Sequence, residues 1–581
     1  MRRALKLVAL VSAAALALAS AWAYAERAEI TRRLLLAQLE ARGISNASLR
    51  VERVDRHSLA LRDIAIGEPD APNLRVASAD LDFSIAGLHA GRLDALRVAG
   101  LRLHGRLDEG GLELGALDPL FDDDSESNAT RAPLLLPAPL IALHDAELVF
   151  ATPQGVALCA IDGQLASKPD GAIAGTFNMT LEHPLARAVG TVALSGTLEQ
   201  LAAEFVLALR DGRVPARVAP ATLRGHVSGA IHALEFDLAL DGADGRLKIV
   251  ARGSGDPVAR TGKAELRLAP LVFTPKGLQP ATLLLALEPL LAGLGIARVT
   301  GSVEARGTLA LAEGTPALKL DLALRELGFD APFARVSGIA GTIALRAPEL
   351  RSLSDVHSPK GQLLSVALLD PGIALTEGLV DFQLLRDGAI ALRSTSWKWA
   401  GGELRAENLQ LDFAAERTPV LLQAHDLDLS ALVAQVAVDG IEATGRISGE
   451  LPLVLTGSEL LVTNGLLRAT DAGGTIRYRP NASTRALADS RPNDLGIAVS
   501  AFSDFRYHEL EARIDGDVRG ELRIALHVKG GNPGFQDNHP IELNLNLEAR
   551  LLDLVRASVE AYRVPEAVEK RLRSFTEKEK K

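Results

Sequence analysis

The chain has 581 residues and a formal net charge of -10; 48% of its residues are hydrophobic, 23% are charged and 4% are aromatic. This apolar content is that of a folded protein, whereas the negative charge argues against a general nucleic-acid binder and the shortage of aromatic rings argues against stacking platforms for bases or sugars. The single cysteine, Cys159, excludes an internal disulfide framework and a cysteine-based metal site.

The first predicted element is an apolar N-terminal segment. Arg2, Arg3 and Lys6 precede an uncharged run at residues 7–25. Two interpretations are open: a cleaved signal peptide, because Ala23-Tyr24-Ala25 fits a small-x-small cleavage pattern, or an uncleaved membrane anchor, because the run at ~1.5 Å per residue nearly covers a ~30 Å hydrocarbon core. We favour the anchor, with its basic end in the cytoplasm and the rest of the chain exported. The residues expected in the membrane include Leu7, Leu10, Leu16, Leu18 and Trp22.

A juxtamembrane helix is predicted over residues 26–43, with early glutamates, later arginines and Gly43 as its stop. After it the hydrophobic period changes to two. Short strands with one apolar face, separated by Gly, Asp and Asn, recur about every ten to fifteen residues. Clear examples are "ALEFDLAL" at 233–240, "ALKLDLAL" at 317–324, "ELRIALHV" at 521–528 and "IELNLNLEAR" at 541–550.

Helical segments are few. We expect a short apolar helix at 280–294, and a charged helical tail at 561–581 after the last strand. An acidic, turn-rich loop occupies 118–133, and a weaker candidate linker lies at 351–362. Because helices are too few to cover so many apolar faces, the strands must cover one another.

Two arrangements solve this packing problem: several separate sandwiches or barrels, or one long sheet that curls along its length. Separate domains predict more linkers than the sequence contains. We therefore expect a mainly β fold: a long, continuous, curled, antiparallel-rich sheet that forms an open groove, with an N-terminal membrane helix and few short helices. The predominance of Leu and Ala suits an under-filled groove wall, although a codon bias explains it equally well.

No catalytic constellation stands out. The sequence lacks the P-loop, HExxH, GxSxG and CxxC motifs, and its twelve histidines are scattered. Asp515 and Asp517 resemble part of a calcium loop, but the closing glutamate is missing at the required offset. We expect no enzyme activity, no metal and no cofactor.

Several motifs in the second half carry a resemblance to a known family. They are "DPGI" at 370–373, the pair Gly401-Gly402 after an aromatic strand, "ISGELPL" leading to "NGLLRA" and "GGTIRY" at 447–478, and "NHPIELNLN" at 538–546. Over residues 276–560 the chain resembles the YdbH family of AsmA-like, TamB/YhdP-related bacterial envelope proteins. Residues 44–275 resemble the family only in their β-rich, alternating pattern, and they are expected to form the N-terminal part of the groove.

The resemblance implies a single-pass inner-membrane protein with the bulk of its chain in the periplasm. It also implies an apolar β-groove that moves phospholipids between the inner and outer membranes. Its implied partners are phospholipids, the inner membrane and a small outer-membrane lipoprotein that pairs with the C-terminal edge by strand addition.

The physical cost of lipid transfer agrees with that function. Exposing an acyl chain of about sixteen CH2 groups costs more than about 10 kcal/mol at ~0.8 kcal/mol each, and an apolar groove removes most of this barrier. The alternatives are a non-enzymatic envelope scaffold or outer-membrane assembly factor and, with less support, a carbohydrate-binding or catalytic sandwich. The candidate groove-lining residues are Leu318, Leu320, Leu322, Leu324, Leu453, Leu455, Leu522, Ile524, Leu526, Ile541, Leu543, Leu545 and Leu547.

Overall fold

The structure, a computed structural model, describes most of the chain from Glu26 to Arg550. The predicted anchor at 1–25, with Leu7, Leu10, Leu16, Leu18 and Trp22, and the predicted tail at 561–581 lie outside the described residues. Within the described part, no helix combines the length and the apolar character needed to cross a membrane. The described residues are 26–550 apart from 45, 90–91, 109–110, 121–135, 198, 231, 333, 387, 412–416, 437–439, 457–458, 471, 480–499, 519–520 and 535–539.

The chain divides into two compact units. Unit 1 comprises Met1–Leu271, Pro280–Glu288 and Gly307–Pro316, and unit 2 comprises Val272–Gln279, Pro289–Arg306 and Ala317–Lys581. Both are built from β-strands with few helices, as predicted for the chain. In unit 1 the helices are α1 (Arg27–Glu40), α2 (Ile85–His89) and α3 (Pro280–Leu283), with 3-10 turns at Gly115–Leu120 and Leu285–Leu287.

Unit 1 is built on the first fourteen described strands. Each strand pairs antiparallel with its sequence neighbour, except that β4 pairs in parallel with β6 and β5 forms a hairpin with β4. No ladder among the described residues joins β1 to β14, so the sheet is open. The strands are β1 (Ala47–Val54), β2 (Ser58–Gly67), β3 (Pro72–Asp82), β4 (Ala95–Asp108), β5 (Gly111–Glu113), β6 (Leu140–Thr152), β7 (Gly155–Ser167), β8 (Ile173–His183), β9 (Ala186–Gly196), β10 (Leu201–Asp211), β11 (Ala221–Ala230), β12 (Ala233–Gly242), β13 (Leu247–Asp256) and β14 (Thr261–Phe273).

The next strand, β15 (Ala297–Ala312), contributes residues to both units, and so does β16 (Thr315–Ala331). The strands that follow are β17 (Ala334–Ala347), β18 (Gln362–Asp370), β19 (Leu375–Leu384), β20 (Ile390–Trp399), β21 (Gly402–Leu411), β22 (Thr418–Asp428), β23 (Ile441–Thr444), β24 (Arg446–Thr456), β25 (Glu459–Ala469), β26 (Gly474–Tyr478), β27 (Phe505–Asp517), β28 (Glu521–Gly531) and β29 (Ile541–Arg550). The helices of unit 2 are α4 (Glu288–Gly293) and α5 (Leu429–Val436), with 3-10 turns at Leu353–Asp355 and Phe502–Asp504.

The sheet of unit 2 is also antiparallel and open. Successive strands pair from β16 to β22, and the ladder then continues through β24, β25, β27, β28 and β29. Strands β23 and β26 pair with each other, and β26 also pairs with β27. Within the described residues, β29 pairs only with β28.

Bulges bend the strands of both sheets at recurring places. Asp63 on β2, Gly100 on β4 and Asp145 on β6 have left-handed φ angles of 51°, 63° and 52°. A bulge adds a residue to one strand, bends it and increases its twist, so bulges on neighbouring strands curl the sheet. The corresponding residues in unit 2 are Glu326, Gly338 and Glu377.

Two features of the helices differ from the expectations of the sequence analysis. The helix expected at 280–294 is divided into α3, a 3-10 turn and α4, with Pro289 in the first turn of α4. Proline suits that position because it has no N–H to leave unsatisfied. The sequence did not predict α5.

Two small buried clusters of unit 1 lie at the start of its sheet. Ala28, Leu35 and Leu36 of α1 pack against Leu49 and Val51, together with residues of β2 and β3. The second cluster contains Ile44, Ile66, Leu114 and Leu117. Helix α1 therefore covers the apolar face of the first strands.

Unit 2 contains a much larger packed cluster. It extends from Ala334 on β17 to Val528 on β28, and it includes aromatic as well as aliphatic side chains. We call it the unit 2 core. Its buried members are Ala334, Val336, Val366, Leu375, Trp397, Leu404, Ala424, Leu427, Ile447, Leu467, Phe505, Tyr507, Leu510, Ala512 and Val528.

We predict that Leu427→Ala lowers the free energy of unfolding of unit 2 by about 3 kcal/mol, because Leu427 is fully buried and the truncation leaves a cavity. The matched control is Leu421→Ala on the same strand, where the side chain is 47% exposed and the expected loss is below about 1 kcal/mol. Urea unfolding followed through the fluorescence of Trp397 and Trp399 measures both. Equal losses for the two variants would contradict this description of the core.

Candidate functional site

The strands β7 to β14 of unit 1 share one continuous apolar face. Their antiparallel register places directly paired residues in rows that cross the sheet, and paired residues point to the same side. Three adjacent rows contain no polar side chain. They are Ile161, Met179, Gly190, Leu207, Leu223, Leu240, Ile249 and Leu268; Gly163, Phe177, Val192, Phe205, Gly225, Leu238, Ala251 and Leu266; and Leu165, Gly175, Leu194, Ala203, Val227, Phe236, Gly253 and Ala264.

The opposite face of the same strands carries their polar and charged side chains, together with alanines and the exposed Val189 and Val206. Ion pairs cross it, for example between Arg252 Nε and Asp237 Oδ2 at 2.8 Å. Side chains alternate between the two faces of a strand, so the polar rows interleave with the apolar rows. One polar row contains Gln164, Thr176, Ala193, Glu204, His226, Asp237, Arg252 and Glu265.

Glycine residues on the apolar face leave space that neighbouring large side chains occupy. A Cβ atom placed on Gly225 would lie 2.2 Å from Cζ of Phe205 and 2.7 Å from Cδ2 of Leu238. Both neighbouring side chains therefore lean over the glycine instead of standing away from the sheet. The result is a smooth surface with little relief, in contrast to an interlocking core.

The apolar face of β7–β14 is only half covered. Of the 24 residues in the three rows, only Leu207 and Ala264 are buried, at 9% and 6% exposure, and the other 22 are intermediate. A sheet face in a two-layer core normally buries most of its large side chains. Among the described residues, no second layer packs on these rows as α1 packs on the first strands. We call these rows the unit 1 apolar face.

The structure places the first four candidate lining residues on one face of β16. Leu318, Leu320 and Leu322 are half-buried, and Leu324 is 9% exposed. The alternating residues Lys319, Asp321 and Arg325 are exposed on the other face. On β17 the directly paired residues are Ala347, Leu345, Ile343 and Gly341.

Leu453 and Leu455 lie on β24 and are also half-buried. Leu453 pairs with Val420 on β22 and Val462 on β25. Leu455 pairs with Thr418 and Leu460 on the same two strands. The surface around this pair is aliphatic, and neither leucine belongs to the unit 2 core or packs against it.

The remaining candidates lie together on β28 and β29. Leu522 is 5% exposed, whereas Ile524, Leu526, Ile541 and Leu543 are half-buried and pack against the unit 2 core. Backbone register pairs Leu545 with Leu526 and Leu547 with Ile524, but the side chains of Leu545 and Leu547 lie outside the described part. This group is therefore tied to the protein's own packing more closely than the β16 and β24 groups.

The sequence analysis named no lining residue in the unit 1 apolar face, although it expected residues 44–275 to contribute to a groove. The period-two signal was present in "ALEFDLAL", whose Phe236, Leu238 and Leu240 lie on this face. Alternation alone identifies the apolar side of a strand but does not show whether another layer covers that side.

Among the described residues, the carboxylates with the largest pKa shifts form ion pairs with arginines. Hydrogen bonds from Arg32 and Arg33 lower the pKa of Glu29 to about 2, and hydrogen bonds from Arg213 hold the pKa of Asp211 far below its usual value. Burial raises the pKa of the Cys159 thiol, which opposes thiolate formation. No cluster of three or more His, Cys, Asp or Glu side chains suited to a metal ion occurs among the residues described.

No curated protein and no solved structure matches the chain. A family model described as YdbH-like, intermembrane phospholipid transport protein YdbH, matches residues 169–573, which is more than half of the chain. The matched range contains strands β8 to β29, and it begins nearer the N-terminus than the sequence motifs of the second half. The chain therefore belongs to the YdbH-like family of intermembrane phospholipid transport proteins.

Proposed function

We propose that this protein is a bridge-like lipid transfer protein, in which apolar sheet faces shield phospholipid acyl chains between the inner and outer membranes. The observation that carries the proposal is the unit 1 apolar face: three rows without a polar side chain, of which 22 residues are only half-buried. An apolar surface that the protein's own side chains leave partly uncovered supports a binding site for an apolar ligand. Membership of a phospholipid transport family supports phospholipid as its ligand.

The dimensions of this face suit acyl chains. Eight strands at ~4.8 Å spacing span ~34 Å across β7–β14. A bilayer core of ~30 Å contains two leaflets, so one acyl chain extends ~15 Å. The face is thus long enough for two acyl chains end to end, and removing each from water recovers more than about 10 kcal/mol.

The open sheet provides a place for the headgroups. Phosphate and ammonium groups are very costly to bury without partners. Because no ladder in the described part of unit 1 closes the sheet, a headgroup can remain in water while its acyl chains lie on the apolar rows. Such a lipid can slide along the rows without breaking specific polar contacts, so we assign no cofactor to this function.

In unit 2 we propose the same lining role for the residues predicted from the sequence. The best-placed members are Leu318, Leu320 and Leu322 on β16 and Leu453 and Leu455 on β24, because they are half-buried and lie outside the unit 2 core. On β28 and β29, Ile524, Leu526, Ile541 and Leu543 pack against that core. For them, lipid contact is proposed on the side of each side chain that stays exposed.

The membrane connections belong to the same proposal. Residues 1–25 are assigned as the inner-membrane anchor, which places the rest of the chain in the periplasm. Within the described part of the chain, strand β29 pairs only with β28, and its other edge has no strand partner there. A small outer-membrane lipoprotein that adds a strand to this edge is the partner proposed for the C-terminal end.

The alternative function is a non-enzymatic envelope scaffold or outer-membrane assembly factor. The unit 2 core favours it, because fifteen buried residues fill that region with the protein's own side chains. The two functions differ in lipid content. A lipid transfer protein carries phospholipid after purification, and a scaffold does not require it.

We predict that Leu240→Asp reduces the phospholipid bound per purified full-length chain at least twofold. Leu240 lies on the unit 1 apolar face between Leu223 and Ile249, and a carboxylate there would lose hydration against an acyl chain. The matched control is Ala239→Asp on the opposite face of the same strand, with wild-type lipid content expected. Organic-solvent extraction followed by mass spectrometry measures the content. Equal lipid loads in the two variants would contradict acyl binding on this face, and lipid-free wild-type protein would favour the scaffold.

A second prediction concerns β16. The photoreactive residue p-benzoylphenylalanine in place of Leu322 is expected to capture phospholipid in cells at least fivefold more than the same residue in place of Ala323. The two positions are adjacent but point to opposite faces of the strand. Mass spectrometry of the purified adducts measures capture. Equal capture at the two positions, or none at 322, would exclude Leu322 from the lipid path.

A further inference from the structure

Two turns of unit 1 border its apolar face at one end of the strands. Residues 212–220 join β10 to β11, and residues 243–246 join β12 to β13. A third segment, residues 280–288, includes α3 and lies beside the first turn, because backbone hydrogen bonds join the two. The polar side chains of these strands point to the opposite side of the sheet, so the turns hold the polar groups closest to this end of the apolar rows. A headgroup that remains in water at this end therefore lies beside them.

A buried carboxylate fixes the first turn. The side chain of Asp211, the last residue of β10, is 0% exposed and pairs with Nε of Arg213 at 2.8 Å. It also accepts hydrogen bonds from the backbone N–H groups of Arg217 at 2.7 Å and Val218 at 3.1 Å. The carbonyl oxygen of Arg217 in turn accepts a hydrogen bond from the N–H of Ala286 at 3.1 Å, which joins this turn to the third segment. The backbone position of Arg217 is therefore set before any ligand binds.

We call the three segments, together with Asp211, the charged border. Its charged side chains are three cations and three carboxylates: Arg213, Arg217, Arg246, Asp211, Asp244 and Glu288. The border therefore has no net charge. A surface of this kind has no net field that would favour an anionic headgroup over a zwitterionic one.

Two places on the charged border present both signs of charge to solvent. Nη2 of Arg246 lies 3.9 Å from Oδ2 of Asp244, whose side chain is 98% exposed. Arg217 and Glu288 are both exposed, and they lie on the segments that the hydrogen bond from Ala286 joins. Each place therefore offers guanidinium donors for a phosphate and a carboxylate for a cation on one hydrated surface.

The turns at the other end of the same strands also mix the two signs of charge. Their described residues, with the last residue of β13 included, carry two cations and three carboxylates: Lys168, Arg260, Asp170, Glu199 and Asp256. Neither end of the unit 1 apolar face is therefore a cationic surface of the kind that attracts anionic headgroups.

The chemistry of the charged border distinguishes among phospholipid headgroups. A glycerol headgroup has a phosphate but no cation, so its negative charge would lie beside the exposed carboxylates of Asp244 and Glu288 without compensation. A choline headgroup has no N–H donor, and quaternary ammonium groups are recognised by aromatic faces, whereas the residues of the border include no aromatic side chain. An ethanolamine headgroup has a phosphate for the guanidinium group and three N–H donors for the carboxylate. Among these three headgroups, ethanolamine alone matches both members of each place.

We propose that the unit 1 apolar face carries zwitterionic phospholipids with a primary ammonium group, that is, with an ethanolamine headgroup. The phosphate lies against Arg217 or Arg246, and the ammonium group lies against Glu288 or Asp244. This inference rests on the proposed lipid transfer function and names the class of lipid that is transferred. Because exposed ion pairs are weak, these contacts bias the choice of headgroup without fixing a lipid in place.

Competitive loading of the full-length protein tests the proposal. Delipidated protein with p-benzoylphenylalanine in place of Leu240 is mixed with vesicles that contain equal amounts of phosphatidylethanolamine, phosphatidylcholine and phosphatidylglycerol with identical oleoyl chains. Leu240 lies on the unit 1 apolar face, so illumination captures the lipid bound there, and mass spectrometry identifies it. We expect capture of phosphatidylethanolamine to exceed that of each of the other two lipids at least threefold. Equal capture of the three lipids, or a preference for either of the others, would overturn the proposal.

Charge reversal tests the assignment to the charged border. Asp244→Lys combined with Glu288→Lys is expected to lower the ratio of captured phosphatidylethanolamine to phosphatidylglycerol at least threefold, because the exposed part of the border then carries only cations. The matched control is Glu204→Lys combined with Glu235→Lys, which makes the same change of charge at exposed residues on the opposite face. The control is expected to keep the wild-type ratio. A ratio that changes equally in both variants, or in neither, would contradict the assignment.

The total amount captured distinguishes this inference from the proposed function. Capture of all three lipids in equal amounts would leave acyl-chain binding on the unit 1 apolar face intact and refute the headgroup preference. Capture of none of them at position 240 would refute acyl-chain binding on this face and the headgroup preference with it. A preference for phosphatidylethanolamine that the border variant lowers and the control retains would support both.

Discussion

Each strand of this protein has one apolar side, and the hydrophobic effect requires that side to be covered. Helices are too few to do so throughout, and in unit 1 helix α1 covers only the beginning of the sheet. Beyond it, the face of β7–β14 is left half-buried. The lipid-binding proposal depends on this incomplete cover, because an acyl chain can supply the contacts that a second layer would otherwise provide.

The two units have the same alternating strand pattern but differ in how their apolar faces are packed. The unit 1 rows alternate Leu, Ile and Phe with Gly and Ala, so that large side chains lean over small ones and the surface stays smooth. In unit 2 the aromatic residues Trp397, Phe505 and Tyr507 fill the space between strands and are almost fully buried. Close packing of side chains against a sheet face stabilises the fold, whereas a smooth, uncovered face leaves room for a ligand. The same sheet face cannot do both to the full extent. We therefore assign mechanical stability mainly to the packed region of unit 2.

Much of this fold could be predicted from sequence, because strand alternation is a local signal. The face of β16 that carries Leu318, Leu320 and Leu322, and the pairing of the β28 and β29 leucine series, follow from period two and short turns. The degree to which each apolar strand face is covered could not be predicted, because it depends on which side chains from distant parts of the chain contact that face. Leu322 and Leu522 look alike in sequence, yet one is half-buried and the other is 5% exposed. The buried Asp211 and the loop that it fixes also depend on contacts that alternation does not report.

The half-burial of the unit 1 apolar face also separates the proposed lipid-binding surface from a surface that would aggregate. A fully exposed apolar face of eight strands would associate with other copies, and a fully packed face would exclude lipid. Here the face is half-buried, while the opposite side carries ion pairs such as that of Arg252 with Asp237, whose side chains remain hydrated. The aliphatic contacts on the half-buried side have no directional preference, so a bound acyl chain can shift by one strand spacing and meet nearly the same surface. In the proposed function, movement along the face therefore requires no change in the chemistry of the wall itself.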